Sequence, residues 1–260
     1  MKGKISVFLM VGLVVSLCSL TTLAQAEEQK GQLVFVSHYV VKPSMVSEFE
    51  AGVKEWVAQC TKHKYPYPWN AQSSEDFLYL FFTPVDNFAD IDNMDKADDE
   101  LAKKIGEEQM QTLMKRFEGT YDYYRDYIAR SLPELSYTPE NPRLKPEESN
   151  FVSTDFYYVQ SGKEKEFEEV NKEWVALVKS KNIADGYSLG VRIMGTELPV
   201  YIGNSRGKNA ADYFSQGEKN WALIKDEGTA LWKKTMALCR KFESRNSWRR
   251  SDLSYIPEEK

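Results

Sequence analysis

The chain has 260 residues, 34 basic and 39 acidic side chains, a formal charge of −5 and 42% apolar residues. An acidic sequence whose charges are interspersed, with no basic cluster, argues against nucleic acid and anionic membrane surfaces as partners. The length is enough for two domains of ordinary size, each with its own core.

Lys2 and Lys4 precede an apolar run over residues 5–20, and Ala24-Gln25-Ala26 supplies small residues at −3 and −1 of a cleavage site. This is the three-part pattern of a secretory signal peptide covering residues 1–26. The run has sixteen residues, interrupted by Gly12, Ser16, Cys18 and Ser19, against the ~20 needed to span a bilayer. Cys18 raises lipoprotein processing as an alternative, although Leu17 is larger than the residue such a site prefers. Cleavage leaves residues 27–260, and losing Lys2 and Lys4 takes the charge from −5 to −7. The expected product is soluble and exported, to the periplasm or beyond.

Residues 33–41 (LVFVSHYVV) alternate and are β-rich, predicting a strand. Ser44 then caps a helix to about residue 62, in which Phe49, Val53, Trp56, Val57 and Cys60 form one apolar face. Two strands follow near 69–74 and 77–82. Helical sequence runs from about 88 to 124, with a break around 92–96. A last strand is expected near 126–132, before LSYTPE at 135–140.

The order then repeats. EFEAGVKEWVA (48–58) and EFEEVNKEWVA (166–176) lie 118 positions apart and agree at eight of eleven positions. The same offset carries LSYTPE onto LSYIPE (253–258), and 33–41 onto 151–159, so one domain is written twice. In the second copy, strands are expected at 151–159, 186–194, 199–203 and 245–251, with helices over 163–181 and 208–243. The domains read as 27–140 and 151–260, with a proline-rich linker over 141–150. Cys60 and Cys239 remain after cleavage and sit in helix-like stretches opposite Val178 and Tyr121 of the other copy. That favours buried free thiols over a disulfide.

The fold class is therefore α+β: two tandem ferredoxin-like β-α-β-β-α-β repeats. Each unit covers one face of its sheet with helices and needs a partner for the other. The element order, the strand-turn-helix starts VVKPSMVSEFE and YVQSGKEKEFE, and the closing LSYTP and LSYIP resemble the dimeric α/β-barrel superfamily, closest to antibiotic-biosynthesis-monooxygenase-like domains. The resemblance covers both copies and implies a fused pseudo-dimer with its sheets packed face to face. It also implies a ligand site on the sheet face away from the helices, and either cofactor-free oxidation of aromatic substrates or haem chemistry.

On the first strand of each copy, the more apolar set (Val34, Val36, His38, Val40; Val152, Thr154, Phe156, Tyr158) is expected to pack on the helices. The other set then lines the barrel, so the candidate ligand-binding residues are Asp155, Arg192, Ser37, Tyr39 and Tyr157, with Tyr79 and Tyr201. A mid-strand carboxylate costs several kcal/mol to bury unpaired, and Arg192 is the natural partner of Asp155. No catalytic residue is assigned. Two histidines, His38 and His63, and no ligand cluster argue against a protein-built metal site. No P-loop, G-x-S-x-G or G-x-G-x-x-G motif is present. The expected ligand is a small apolar or aromatic molecule, bound without cofactor by a monomeric pseudo-dimer or a dimer of it, and monooxygenase-like chemistry is the enzymatic form of that expectation. The alternatives are a non-catalytic periplasmic binding or structural protein, and a haem-binding barrel with His38 as axial ligand.

Overall fold

A computed structural model of the chain describes residues 31–258; the signal-peptide assignment lies outside them. Eight antiparallel strands close into one barrel: β1 (Leu33–Val41), β2 (Asn70–Ser74), β3 (Leu78–Val85), β4 (Tyr121–Ser131), β5 (Phe151–Val159), β6 (Tyr187–Met194), β7 (Val200–Gly207) and β8 (Cys239–Arg249). The ring order is β1-β3-β2-β8-β5-β7-β6-β4. Each repeat thus contributes a ferredoxin-like sheet, β4-β1-β3-β2 and β8-β5-β7-β6, and the two join edge to edge at β2–β8 and β4–β6. Closure removes every sheet edge. Outside lie α1 (Val46–His63), α2 (Ala89–Ile105) and α3 (Glu107–Lys115) on the first sheet, and α4 (Glu164–Ser180) and α5 (Ala210–Ala237) on the second.

The first strands fall where the alternation puts them, at 33–41 and 151–159. Several boundaries differ. The helical break is at Gly106, whose φ of +91° suits glycine, and not at 92–96. The late strands also start earlier than expected, at Tyr121 and Cys239. Their alternation is disguised because Tyr123, Arg125, Lys241, Glu243 and Arg245, the bore-facing set, are polar or charged.

The repeated LSY motif is the device that fastens one repeat to the other. Leu253, at the end of the second repeat, is buried in the first repeat's core with Val41, Phe49, Val53 and Tyr79. Leu135, at the end of the first, is buried with Val159, Phe167, Leu189 and Tyr201 of the second. The tyrosines follow: Tyr255 Oη donates to the carbonyl of Tyr65 at 2.8 Å, and Tyr137 Oη to that of Ile183 at 2.9 Å. Ser254 Oγ accepts from the Ala71 amide, and Ser136 Oγ from the Leu189 amide. Cys60 and Cys239 are both free thiols, but only Cys60 is buried in a helix; Cys239 is half-buried and opens strand β8.

Candidate functional site

The inward and outward faces of the strands are the reverse of the expectation. Val36, Leu78, Leu80, Tyr127, Phe156, Tyr158, Val200 and Ile202 form a single cluster inside the barrel. The apolar set of β1 and β5 therefore faces the bore. His38 sits in that bore. Burial, then the charges of Arg245, Arg125 and Arg192, push its pKa down to about 4, so it is neutral at pH 7.

The candidate residues are redistributed accordingly. Arg192 points into the bore, with its guanidinium 4.4 Å from the Tyr127 ring centroid. Asp155, Tyr157, Ser37, Tyr39, Tyr79 and Tyr201 all face the helices and do not line the barrel interior. Asp155 therefore lies across the sheet from Arg192. Its partners are the Tyr157 hydroxyl, at 3.4 Å, and Ser244, opposite it on β8. Tyr79 and Tyr201 are repeat-equivalent props: their hydroxyls donate to Glu50 and Glu168 on the covering helices, each at 2.6 Å. Arg250 from the end of the second repeat clamps Glu50 with both terminal nitrogens, and its Nη2–Oε2 distance is 2.7 Å.

Ser37 and Tyr39 do line a cavity, on the helix side of the first sheet. Its volume is about 390 Å³. Strand alternation supplies the floor, with Phe35, Ser37 and Tyr39 from β1 and Phe81 and Thr83 from β3. Helix α1 supplies Phe49, Val53 and Trp56 at spacings of four and three, which places them on one stripe. Met94 and Asp98 come from α2, and Met114 and Phe117 from α3 and the turn after it. Tyr65, Tyr67 and Trp69, leading into β2, complete the wall. The aromatic packing is tight: Tyr39 lies 5.9 Å edge-on to Phe81 and 5.2 Å from Tyr121, and Phe49 lies 5.8 Å from Phe117.

One carboxyl group breaks this apolar wall. Asp98 lines the cavity beside the Tyr65 hydroxyl. Burial raises its pKa above the usual carboxylate range, with Asp95 and Asp99 adding to the effect, while the Tyr65 hydrogen bond opposes it. Asp126, outside the lining and solvent-exposed, lies opposite Ser37 on β4, and partial desolvation raises its pKa against the Ser37 hydrogen bond. Sequence reasoning missed Asp98, although a signal exists: Ile91, Met94, Asp98, Leu101 and Ile105 recur at spacings of three and four, so this one acid interrupts an apolar helix stripe.

The cavity lining offers haem no histidine ligand. An axial ligand must be a histidine, thiolate, methionine or tyrosinate. His38 is on the other side of the sheet. Burial pushes the Cys60 thiol and the Tyr39 phenol each up to about 12, which disfavours their anionic forms. Tyr65, Tyr67, Tyr121, Met94 and Met114 also line the cavity, and no histidine does, so no Met/His pair forms there. Among the described residues, no group of three or more His, Cys, Asp or Glu side chains is placed to hold a metal ion.

No family model matches the chain, and no curated protein matches its sequence. Solved structures do match its fold. An anthrone oxidase-like protein aligns with a TM-score of 0.56 at 12% identity, covering 89% of this chain and 98% of its own. A candidate monooxygenase from Fusobacterium nucleatum aligns with a TM-score of 0.55 at 11% identity, covering 89% and 99%. A variant of chlorite dismutase from Candidatus Nitrospira defluvii reaches 0.50 at 10% identity, covering 86% and 93%. The chain has the dimeric α/β-barrel fold that these proteins share.

Proposed function

We propose that this is an exported protein that binds a small, flat, largely aromatic molecule between the first sheet and its helices, as a monooxygenase-like enzyme that needs no prosthetic group for binding. The observation that carries the proposal is the cavity itself: about 390 Å³, walled by aromatic rings and thioethers, with Asp98 the one carboxyl group in its lining. Aromatic walls favour a ligand with extended π faces. A carboxyl with a raised pKa, in a dry pocket, is suited to take a proton from a ligand hydroxyl or an activated C–H. Tyr65 holds Asp98 in place and stabilises its charged form once the proton has moved elsewhere.

Anthrone is a reasonable first probe, since an anthrone oxidase-like protein shares the fold. Its oxidation consumes one O₂, converts the ring CH₂ to C=O and releases one water. Oxygen uptake and tryptophan quenching should be followed together on the purified mature protein. The expected result is saturable quenching, with uptake lost in Asp98→Asn while quenching persists. Quenching without uptake in the parent protein leaves a binding protein and removes the enzymatic half of the proposal. No quenching with anthrone or a panel of polycyclic phenols overturns it. N-terminal sequencing of the exported form tests cleavage after Ala26.

A further inference from the structure

A second cavity, of about 250 Å³, lies at one mouth of the barrel beneath the linker between the repeats. One wall is apolar and comes from the linker: Pro139, Pro142, Leu144 and Pro146. The opposite wall is polar and comes from bore-facing positions of β6 and β7: Ser188, Asn204 and Arg206.

The polar wall has donors to spare and no spare acceptor of strength. Asn204 Oδ1 accepts from Thr154 Oγ1 at 2.8 Å, so its amide nitrogen is the group left for a ligand. Asp185, the carboxylate in the lining, is fully engaged. Its Oδ1 takes Arg143 Nε and its Oδ2 takes Asn220 Nδ2, each at 2.8 Å. Arg143 also forks onto Asp212 at 2.8 and 3.0 Å, which ties the linker to α5 and fixes the apolar wall. Arg206, by contrast, has no carboxylate partner among the described residues. Its charged neighbour is another cation, Arg249, and partial desolvation together with that charge lowers its pKa. Arg249 is itself held at 2.6 Å by the Pro146 carbonyl. Arg206 is solvent-exposed at the edge of the cavity with no carboxylate partner among the described residues, and its planar fork, beside the free Asn204 amide, suits a carboxylate.

We propose that this cavity is a second binding site, for a small organic acid whose carboxylate pairs with Arg206 and Asn204 and whose apolar body lies on the linker prolines and Leu144. The site is separate from the aromatic pocket and does not depend on the function proposed for it.

The test is calorimetric titration of the mature protein with hexanoate, acetate and inorganic phosphate. Hexanoate should bind saturably and more tightly than either of the others. Arg206→Gln should weaken it at least about tenfold, the scale of a charge-assisted hydrogen bond, and Arg206→Lys should fall between. An unchanged melting temperature of ligand-free Arg206→Gln shows that the fold survives. Should that variant be destabilised, Leu144→Asp, on the linker side, serves instead and should also abolish binding. Val53→Trp, which fills the aromatic pocket, should leave hexanoate binding intact. Absent binding, affinity indifferent to Arg206 and Leu144, acetate or phosphate equalling hexanoate, or loss of binding in Val53→Trp would each overturn the proposal.

Discussion

The two repeats use the same frame and treat the space between sheet and helices differently. In the second, α5 runs unbroken over Ala210–Ala237 and packs on α4 through Trp174, Leu177, Val178, Ile224 and Leu231. In the first, Gly106 splits the equivalent helix into α2 and α3, and the walls stand apart around the cavity. Side chains follow suit. Trp174 Nε1 donates to Thr235 at 3.0 Å, whereas the position 118 residues before Thr235 is Phe117, a cavity wall. Phe81 of the cavity floor is matched on β7 by Gly203, over which Tyr157 lies. One polar pair is kept in mirror form. Ser37 faces Asp126 in the first repeat, and Asp155 faces Ser244 in the second, so the same two positions hold one hydroxyl and one carboxyl with the strands exchanged. Duplication preserved the frame and let one half open.

The largest expected effects test the shared frame. Leu253 and Leu135 are 0% and 1% exposed, each in the core of the other repeat. Truncation to Ala should cost about 2–5 kcal/mol in urea unfolding. Leu135→Ala should lie at the upper end, because the closely packed second repeat has less room to relax than the first, whose core borders a cavity. Equal costs would show that the cavity does not soften its surroundings.

A smaller effect is expected where the repeats diverge. Gly106 has φ +91° and ψ 149°, and a Cβ there meets nothing within 4 Å. Gly106→Ala is therefore opposed by backbone conformation alone, at about 1–3 kcal/mol. Relief by straightening α2 into α3 would draw Met114 toward its α5 counterpart's position. Ligand quenching in the aromatic pocket should fall with stability. A variant that loses stability but binds normally would separate the kink from the cavity.

Much of the frame was legible in the sequence, because repeats, strand alternation and the LSY motif are local patterns that both copies state independently. The faces were not. Which side of a strand meets helices and which meets the opposite sheet depends on closure, and the alternation alone is symmetric between the two. Assigning the apolar set to the helices puts Ser37, Tyr39, Asp155 and Tyr157 in the bore, whereas barrel closure turns the apolar set of β1 and β5 inward. Ser37 and Tyr39 nonetheless border the aromatic cavity, while Asp155 packs in a repeat whose helices close over it. Arg192 packs on Tyr127 on the bore side of the sheet and is not the partner of Asp155, which faces Ser244. Asp98 was hidden in an acidic helix whose charges read as a solvated face, and only its phase on the apolar stripe sets it apart.

The mirrored Ser/Asp pairs allow the smallest and sharpest test. Burial raises the pKa of Asp155 more than hydrogen bonds from Ser244 and Tyr157 lower it. The folded state therefore holds its proton to higher pH than the unfolded chain, whose Asp titrates near ~3.9. Between those two values the native state binds more protons, so this residue's contribution to stability falls as pH rises through the window, and its penalty is complete above the folded pKa. Asp155→Asn removes the penalty. Its stability relative to the parent protein should rise with pH from about 3.9 upward and then level off. Asp126→Asn should show the same sign with a smaller rise, because Asp126 is the more exposed of the two. Urea midpoints across that range measure both. A difference that stays flat with pH for Asp155→Asn, or a larger slope for Asp126→Asn, would mean that the second repeat's carboxyl is better solvated than its packing implies, and that the two halves are more alike in their interiors than the cavity suggests.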